Sequence, residues 1–547
     1  MKTISMRKII AAVGVSVMLS TAAVAIAPSA YAAAPTCTKD SKGLETCTGT
    51  LSNGAPYLIK VPANYKGTFF YWNHGIKFTY PVPGYITVPT GIEELTPTSS
   101  TTKLNVDSEM LRAGYGLATY DGVTKGVRGW NTVDRVEMLK ELIDTVRAKY
   151  TVKKGVVYGS SQAGSIMTPF IEKYPDYADA VGIMAGVTPS IGQEVQSLCD
   201  MFYILSVFAD PTIKGCAAFG LGTPLAGHYA AIAEFQKVGA LLQAWSLNLG
   251  MPGLEYPAAL KGSGIPQRSA LLLTGLLVGI PAKSSHMDGI TTSGLVAEQS
   301  INATVAILEN FGEALATGTF GGQAISEITG PGFYDNTKTD WFSLLDPADA
   351  GRYNLGLSGD DGINGMLGVL SMAPRVKGDP AAVAKLKALD ASKFDTTKPV
   401  VLLSNEADRL VFPGNSSLYV DKARAVYDAK LATYEAAFEA ATTSEERADA
   451  RKLKPVWNVA SLYAMTPETY TKYTAAGTPD FTAAAASSGV GHQTFTKKQT
   501  MAWVKILAHA AENGRVGTAG FLQQYIKTAP GLNSDLDYRP ADLKYIW

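Results

Sequence analysis

The chain has 547 residues, 46% of them hydrophobic and 18% charged, enough apolar material for a large core and too much for global disorder. Its 48 Lys and Arg balance 48 Asp and Glu, so the formal net charge is zero. That balance argues against a nucleic-acid partner and against a basic membrane-binding face.

The first 32 residues read as a secretion signal. Lys2, Arg7 and Lys8 give a charged start, residues 9–26 are apolar, and Ala30-Tyr31-Ala32 fits a small-x-small cleavage site. The mature protein is expected to begin near Ala33, slightly acidic once the leader's cations are gone, and to be secreted. No later run is long enough to span a bilayer, so no stable membrane insertion is expected. Four cysteines remain, an even number, as in disulfide-bonded exported chains. Their spacings favour two local loops, Cys37–Cys47 and Cys199–Cys216.

Residues 36–62 predict a β-hairpin, with Gly49-Thr50-Leu51 and residues 57–61 flanking the turn Ser52-Asn53-Gly54. Residues 67–75 form an apolar strand ending in His74-Gly75. Residues 79–104, rich in Pro, Thr and Ser, read as a loop. Residues 111–120 give a helix end, a glycine turn and a new strand. A helix over 133–149 follows from the spacing of Val133, Val136, Leu139, Leu142, Ile143 and Val146. Strands are expected at 152–157 and 179–186, with a helix over 165–174 between them. Such alternation predicts a mostly parallel sheet with helices on both faces.

The alternation then stops. Residues 190–395 show helical and Gly- or Pro-broken stretches without clear strands, and the sheet signal resumes at 398–404. Within that insertion residues 271–280 suit a buried or lid helix, and 220–227, 250–264 and 318–332 read as loops. Residues 423–451 predict a solvated helical hairpin, 457–463 a last strand, 481–490 a small-residue loop and 497–512 a helix. The tail after Gly514 is expected to pack on the body. The resulting organisation is a leader over 1–32, a first core part over 33–190, a helical cap over 191–395, and a second core part over 396–547 with the hairpin near 420–452.

The chemistry is concentrated at Gly159-Ser160-Ser161-Gln162-Ala163, between the strand at 152–157 and the helix at 165–174. A serine on such a strand-to-helix turn is exposed at the sheet edge, and the residues two before and two after it must be small. With Ser161 as nucleophile those flanks are Gly159 and Ala163; with Ser160 they are Tyr158 and Gln162, both too large. A serine nucleophile needs a base, and the base needs a carboxylate to orient it. His492, in a loop after the last strand, is the best base. His509 lies within an amphipathic helix, His228 and His286 in the insertion, and His74 precedes the nucleophile. Asp408, in the turn after the strand at 400–404, is the preferred acid, with Glu406 as second choice. The oxyanion donors are assigned to Gln162 N–H and to the loop after His74, either Gly75 or, by preference, Ile76.

Together these features resemble the α/β-hydrolase superfamily, in which serine, acid and histidine follow in that chain order. The resemblance covers roughly 50–190 and 396–515, with Ala163 in place of the usual last glycine of the motif, and it places no subfamily. It implies an α/β fold with a cap insertion and hydrolysis through an acyl-enzyme without metal or organic cofactor. The substrate implied is a small-molecule or polymer-derived ester. An acyltransferase, a peptidase or amidase of the same fold, and a non-catalytic binding protein on this scaffold remain alternatives. Oligomeric state is not legible.

Overall fold

The computed structural model describes residues 35–77, 91–99, 103–122, 129–248, 267–289, 296–348, 359–395, 397–475, 479–533 and 535–547. The leader with its cleavage site, most of the 79–104 loop and the 250–264 segment lie outside them.

The sheet is built from β1 (Thr36–Lys39), β2 (Glu45–Thr50), β3 (Pro56–Val61), β4 (Thr68–Asn73), β7 (Gly116–Tyr120), β8 (Lys154–Ser160), β9 (Ala180–Met184), β10 (Val400–Asn405) and β11 (Val459–Ala464). A separate two-stranded ribbon holds β5 (Thr98–Ser99) and β6 (Leu104–Asn105). The nine strands run in the order β1-β2-β3-β7-β4-β8-β9-β10-β11. The β1-β2, β2-β3 and β3-β7 pairs are antiparallel, and every pair from β7 to β11 is parallel.

Burial follows topology. Every residue of β4, β7, β9, β10 and β11 is buried, whereas β3 alternates between buried and half-exposed positions. Parallel strands covered on both faces need continuous apolar runs, and an antiparallel edge with one wet face needs alternation. One face is covered by the helices Thr132–Lys149 and Gly164–Lys173, through Leu139, Leu142 and Phe170. The other is covered by Lys497–Asn513, whose Trp503 packs against the strands and donates its indole N–H to Val401 O at 3.0 Å. This is the expected fold class, an α/β-hydrolase fold.

Between β9 and β10 the described residues are helical and contain no strand. A third apolar cluster lies there, formed by the helices Ile191–Phe208, Pro224–Asn248, Gln267–Val278 and Val296–Ala316 and joined by Val411, Phe412 and Leu418 from beyond β10. Two stretches read as loops from their glycines are largely helical. Residues 224–227 begin Pro224–Asn248, and 318–329 form a π-helical turn and the helix Gly322–Thr329. Here glycine serves close packing. A Cβ on Gly227 would come within 2.4 Å of the Gln323 side chain, and one on Gly318 within 3.0 Å of the Phe202 ring. Val133 is a second correction: it is 78% exposed, and the buried stripe of its helix starts instead at Arg135. β1 was not anticipated. It pairs Cys37 directly with Cys47.

Both local disulfides are present, Cys37–Cys47 and Cys199–Cys216. The first staples the edge hairpin, and the second ties Ile191–Phe208 to the short turn Gly215–Ala218. Disulfides belong to oxidising compartments. No helix among the described residues is long and apolar enough to cross a membrane. The predicted hairpin is Gly414–Ala440 followed by Ser444–Lys452, opened by a Thr443–Glu446 capping box. The tail does pack on the body: the Tyr545 hydroxyl donates to the buried Asp200 carboxylate.

Candidate active site

Ser161 directly follows β8 with φ +55°, a left-handed conformation unusual for a residue with a side chain. The turn is tight. A Cβ on Gly159 would come within 2.5 Å of Ala163 Cβ and 2.6 Å of Asn73 O, so only glycine fits two residues before Ser161. Ser161 O accepts from Val187 N–H at 3.1 Å, which fixes the elbow to the chain after β9. Ser160 and Ser161 both border a cavity of about 580 Å³, but the Ser160 hydroxyl is itself buried and has no partner among the described residues.

His492 borders the same cavity. Its loop is joined to the Asp408 loop by a bridge between Ala407 and Val490, and Asn405 Nδ2 donates to Gly491 O at 2.7 Å. That lacing puts Asp408 beside the imidazole: His492 Nδ1 donates to Asp408 Oδ2 at 3.0 Å. Asp408 is fully buried, and its Oδ1 also accepts from Leu410 and Val411 N–H at 3.0 Å each. With Nδ1 carrying the proton, Nε2 is an acceptor, and the side-chain amide of Gln493 lies 3.0 Å from it. Among the described residues no hydrogen bond joins Ser161 to His492, and the amide is the partner of Nε2.

Glu406, the second choice for the acid, faces elsewhere. Its carboxylate pairs with Lys283 at 2.6 Å and accepts from Thr466 and Tyr538. Burial would raise its pKa, but Lys283 and the Thr466 bonds hold it below the usual value. It braces the Asp408 loop from outside the cavity.

His74 is buried and neutral. Its Nε2 accepts from Gly122 N–H at 2.8 Å, so Nδ1 carries the hydrogen and donates to Gly75 O at 2.6 Å. Burial, then the charges of Arg135 and Lys77, drive its pKa well below the ordinary histidine value. The 3.8 Å approach to Asp121 is therefore not an ion pair. His74 shapes the loop that brings Gly75 against Ser161: a Cβ on Gly75 would lie 3.1 Å from Ser161 Cβ. Ile76 follows at the cavity wall, and no backbone hydrogen bond takes up its N–H among the described residues. Gln162 N–H, in the first turn after β8, belongs to the donors a helix start leaves unpaired.

The remaining lining is mainly apolar and comes largely from the stretch between β9 and β10, including Ile191, Val195, Phe235 and Phe320, with Trp130 and Leu410. Two carboxyls, Glu94 and Glu194, also border it. The structure brings Ser161 and His492 to one cavity with Gly75 and Ile76 on its wall and Asp408 behind the imidazole; the sequence reading does not single out Gln493, Glu194 or Arg135.

No protein-family model and no curated protein sequence matches the chain. Solved structures do. An esterase from Aspergillus oryzae is 12% identical, with 77% of this chain and 72% of that one covered and a TM-score of 0.31. Feruloyl esterase B from Aspergillus oryzae gives 11%, 72%, 75% and 0.29. The rice cell wall degrading esterase LipA from Xanthomonas oryzae, in a ligand-bound form, gives 9%, 80%, 91% and 0.32. Likeness at this level carries no functional argument, which rests on the site.

The buried carboxyls make a stability prediction. Burial pushes Glu194 up to about 8, against hydrogen bonds from Asn415 and Phe412 N–H, and pushes Asp200 up to about 7, against those from Tyr334 and Tyr545. A carboxyl raised in the fold stabilises it below the unfolded value, and that contribution is lost as pH rises through the folded value. His74 acts oppositely, its contribution being present above the ordinary histidine range and lost as pH falls. Above about pH 7 His74 is neutral in both states, so Glu194 sets the sign. Stability should fall by about 1 kcal/mol from about pH 7 to 8. Glu194→Gln should flatten that slope in thermal melts; a melting temperature rising across this window would contradict the assignment.

Proposed function

We propose that this chain is a serine hydrolase acting on carboxylic esters, with Ser161 as nucleophile, His492 as base and Asp408 as acid. The observation carrying the reading is the left-handed Ser161 on the same cavity wall as an imidazole whose Nδ1–H is held by a buried carboxylate.

An ester entering the cavity displaces the Gln493 amide, and His492 Nε2 then accepts the Ser161 proton as Oγ attacks the carbonyl carbon. The carbonyl π pair moves onto oxygen, where Gln162 and Ile76 N–H receive it. The oxyanion collapses, the bond to the alcohol breaks, and Nε2 returns the proton to the leaving oxygen. Water, deprotonated by the same nitrogen, attacks the acyl-serine; the acyl–Oγ bond breaks, Nε2 returns the proton to Ser161 Oγ, and the carboxylic acid leaves. Asp408 keeps Nδ1 protonated throughout and stabilises the imidazolium.

The mainly apolar lining favours an aliphatic or aromatic acyl group over a charged peptide end, hence ester over amide. The stretch between β9 and β10 supplies most of it, and acts as a cap over Ser161. The leader-like start and the disulfides support export of the mature chain.

The test pairs a fluorophosphonate probe with a panel of esters of increasing acyl length. Covalent labelling is expected at Ser161 by peptide mapping, with turnover rising from acetyl to longer or aromatic acyl groups. Labelling elsewhere, or a strict preference for charged or peptide substrates, would reject the reading.

A further inference from the structure

Arg135 lies on the buried face of Thr132–Lys149 and is only 1% exposed. One terminal nitrogen donates to His74 O at 2.6 Å; the other donates to the Gln162 side-chain oxygen at 2.8 Å and to Gly75 O at 3.3 Å. Among the described residues no carboxylate lies within 4.0 Å of its guanidinium. All three acceptors are neutral, and they come from the two chain segments assigned to hold the oxyanion.

We infer that Arg135 is a positioning residue for the oxyanion site, fixing both donors from behind; this rests on the hydrolase reading above. The first arm acts through peptide geometry. C=O and N–H of one trans peptide point in opposite directions. Gly75 O is drawn towards His74 Nδ1 and Arg135, so the N–H of the same unit, that of Ile76, is turned away from them. Gly75 itself abuts Ser161. The second arm grips the elbow. Gln162 accepts from Arg135 and donates through Nε2 to Gly129 O at 2.9 Å, so the side chain is held at both ends and the first turn, with its N–H, cannot swing. A planar guanidinium sets these distances together, and a lysine ammonium on its flexible stem does not. The charge acts as well. With no anion among the described residues paired to it in a buried site, it favours the negative oxygen that develops in the transition state over the neutral ground-state carbonyl.

The signature is therefore a loss in kcat with KM little changed, since the donors meet the oxyanion and not the substrate's acyl group. Arg135→Met and Arg135→Lys are to be compared with the wild type in ester kinetics, fluorophosphonate labelling rate and thermal melting. Met should lower kcat and labelling rate by about 10²–10³-fold, the size of a lost oxyanion donor, with KM within about threefold. Lys, which keeps the charge and loses the fork, should recover part of that loss. A folded Met variant with near wild-type kcat, or a loss carried by KM alone, overturns the inference. If Met does not fold, Lys decides: a kcat about tenfold down at constant KM supports it, and an unchanged kcat overturns it. A wild-type protein that neither labels at Ser161 nor cleaves esters rejects the hydrolase reading first, and this inference with it.

Discussion

Ser161→Ala is expected to abolish ester turnover, by roughly 10⁴–10⁶-fold, while leaving the fold intact. Alanine removes one cavity-facing hydroxyl that has no hydrogen bond within the described residues, so little stability goes with it. All of the chemistry does, because without Oγ the His492–Asp408 pair has nothing to deprotonate and no acyl-enzyme can form. The neighbouring serine is the control. Ser160 Oγ is buried and has no partner among the described residues, so Ser160→Ala should keep turnover and match or exceed wild-type stability. Steady-state kinetics and thermal melts on the two variants separate the registers of the elbow. The reverse pattern, activity lost with Ser160 and kept without Ser161, would sink both the nucleophile and the oxyanion assignment.

Asp408→Asn should cost about 10⁴-fold in kcat with the backbone unmoved. The asparagine oxygen retains the Leu410 and Val411 N–H bonds, which leaves its amide nitrogen facing His492 Nδ1. That amide donates to Nδ1 and so drives the ring proton to Nε2, where the imidazole can no longer accept from Ser161. Glu406→Gln provides the contrast. It breaks the pair with Lys283 and weakens the brace on Thr466, so it should lower the melting temperature and leave kcat near wild type. If Glu406→Gln loses as much turnover as Asp408→Asn, the acid has been misassigned.

What the sequence disclosed follows from where each signal is written. The parallel strands are legible because burial on both faces demands unbroken apolar runs, and the elbow because its crowding admits only small residues at 159 and 163. The order of Ser161, Asp408 and His492 needed only the order of those runs. Other features are set by tertiary contact. Gly227 and Gly318 look like loop formers until a neighbouring helix is seen against them. Val133 fits the helical stripe by spacing but faces solvent, whereas Arg135 carries a charge on the buried face, a visible oddity whose meaning depends on His74, Gly75 and Gln162 lying around it. Gln493 gives no local signal, for its place is defined only by the imidazole beside it.

The pairing of β9 with β10 has a consequence for how the chain reaches this state. The two strands are hydrogen-bonded neighbours, from Val181 with Val400 to Met184 with Leu403, yet some two hundred residues separate them in the chain. At ribosomal rates of about 5–20 residues per second, β9 waits at least about ten seconds for its partner. Through that interval it is the open edge of a growing parallel sheet, and all five of its residues are ones the finished fold buries. The vulnerable species is thus a nascent half-sheet, prone to edge-to-edge association and to chaperone capture. Any fragment ending between β9 and β10 would retain that edge for good.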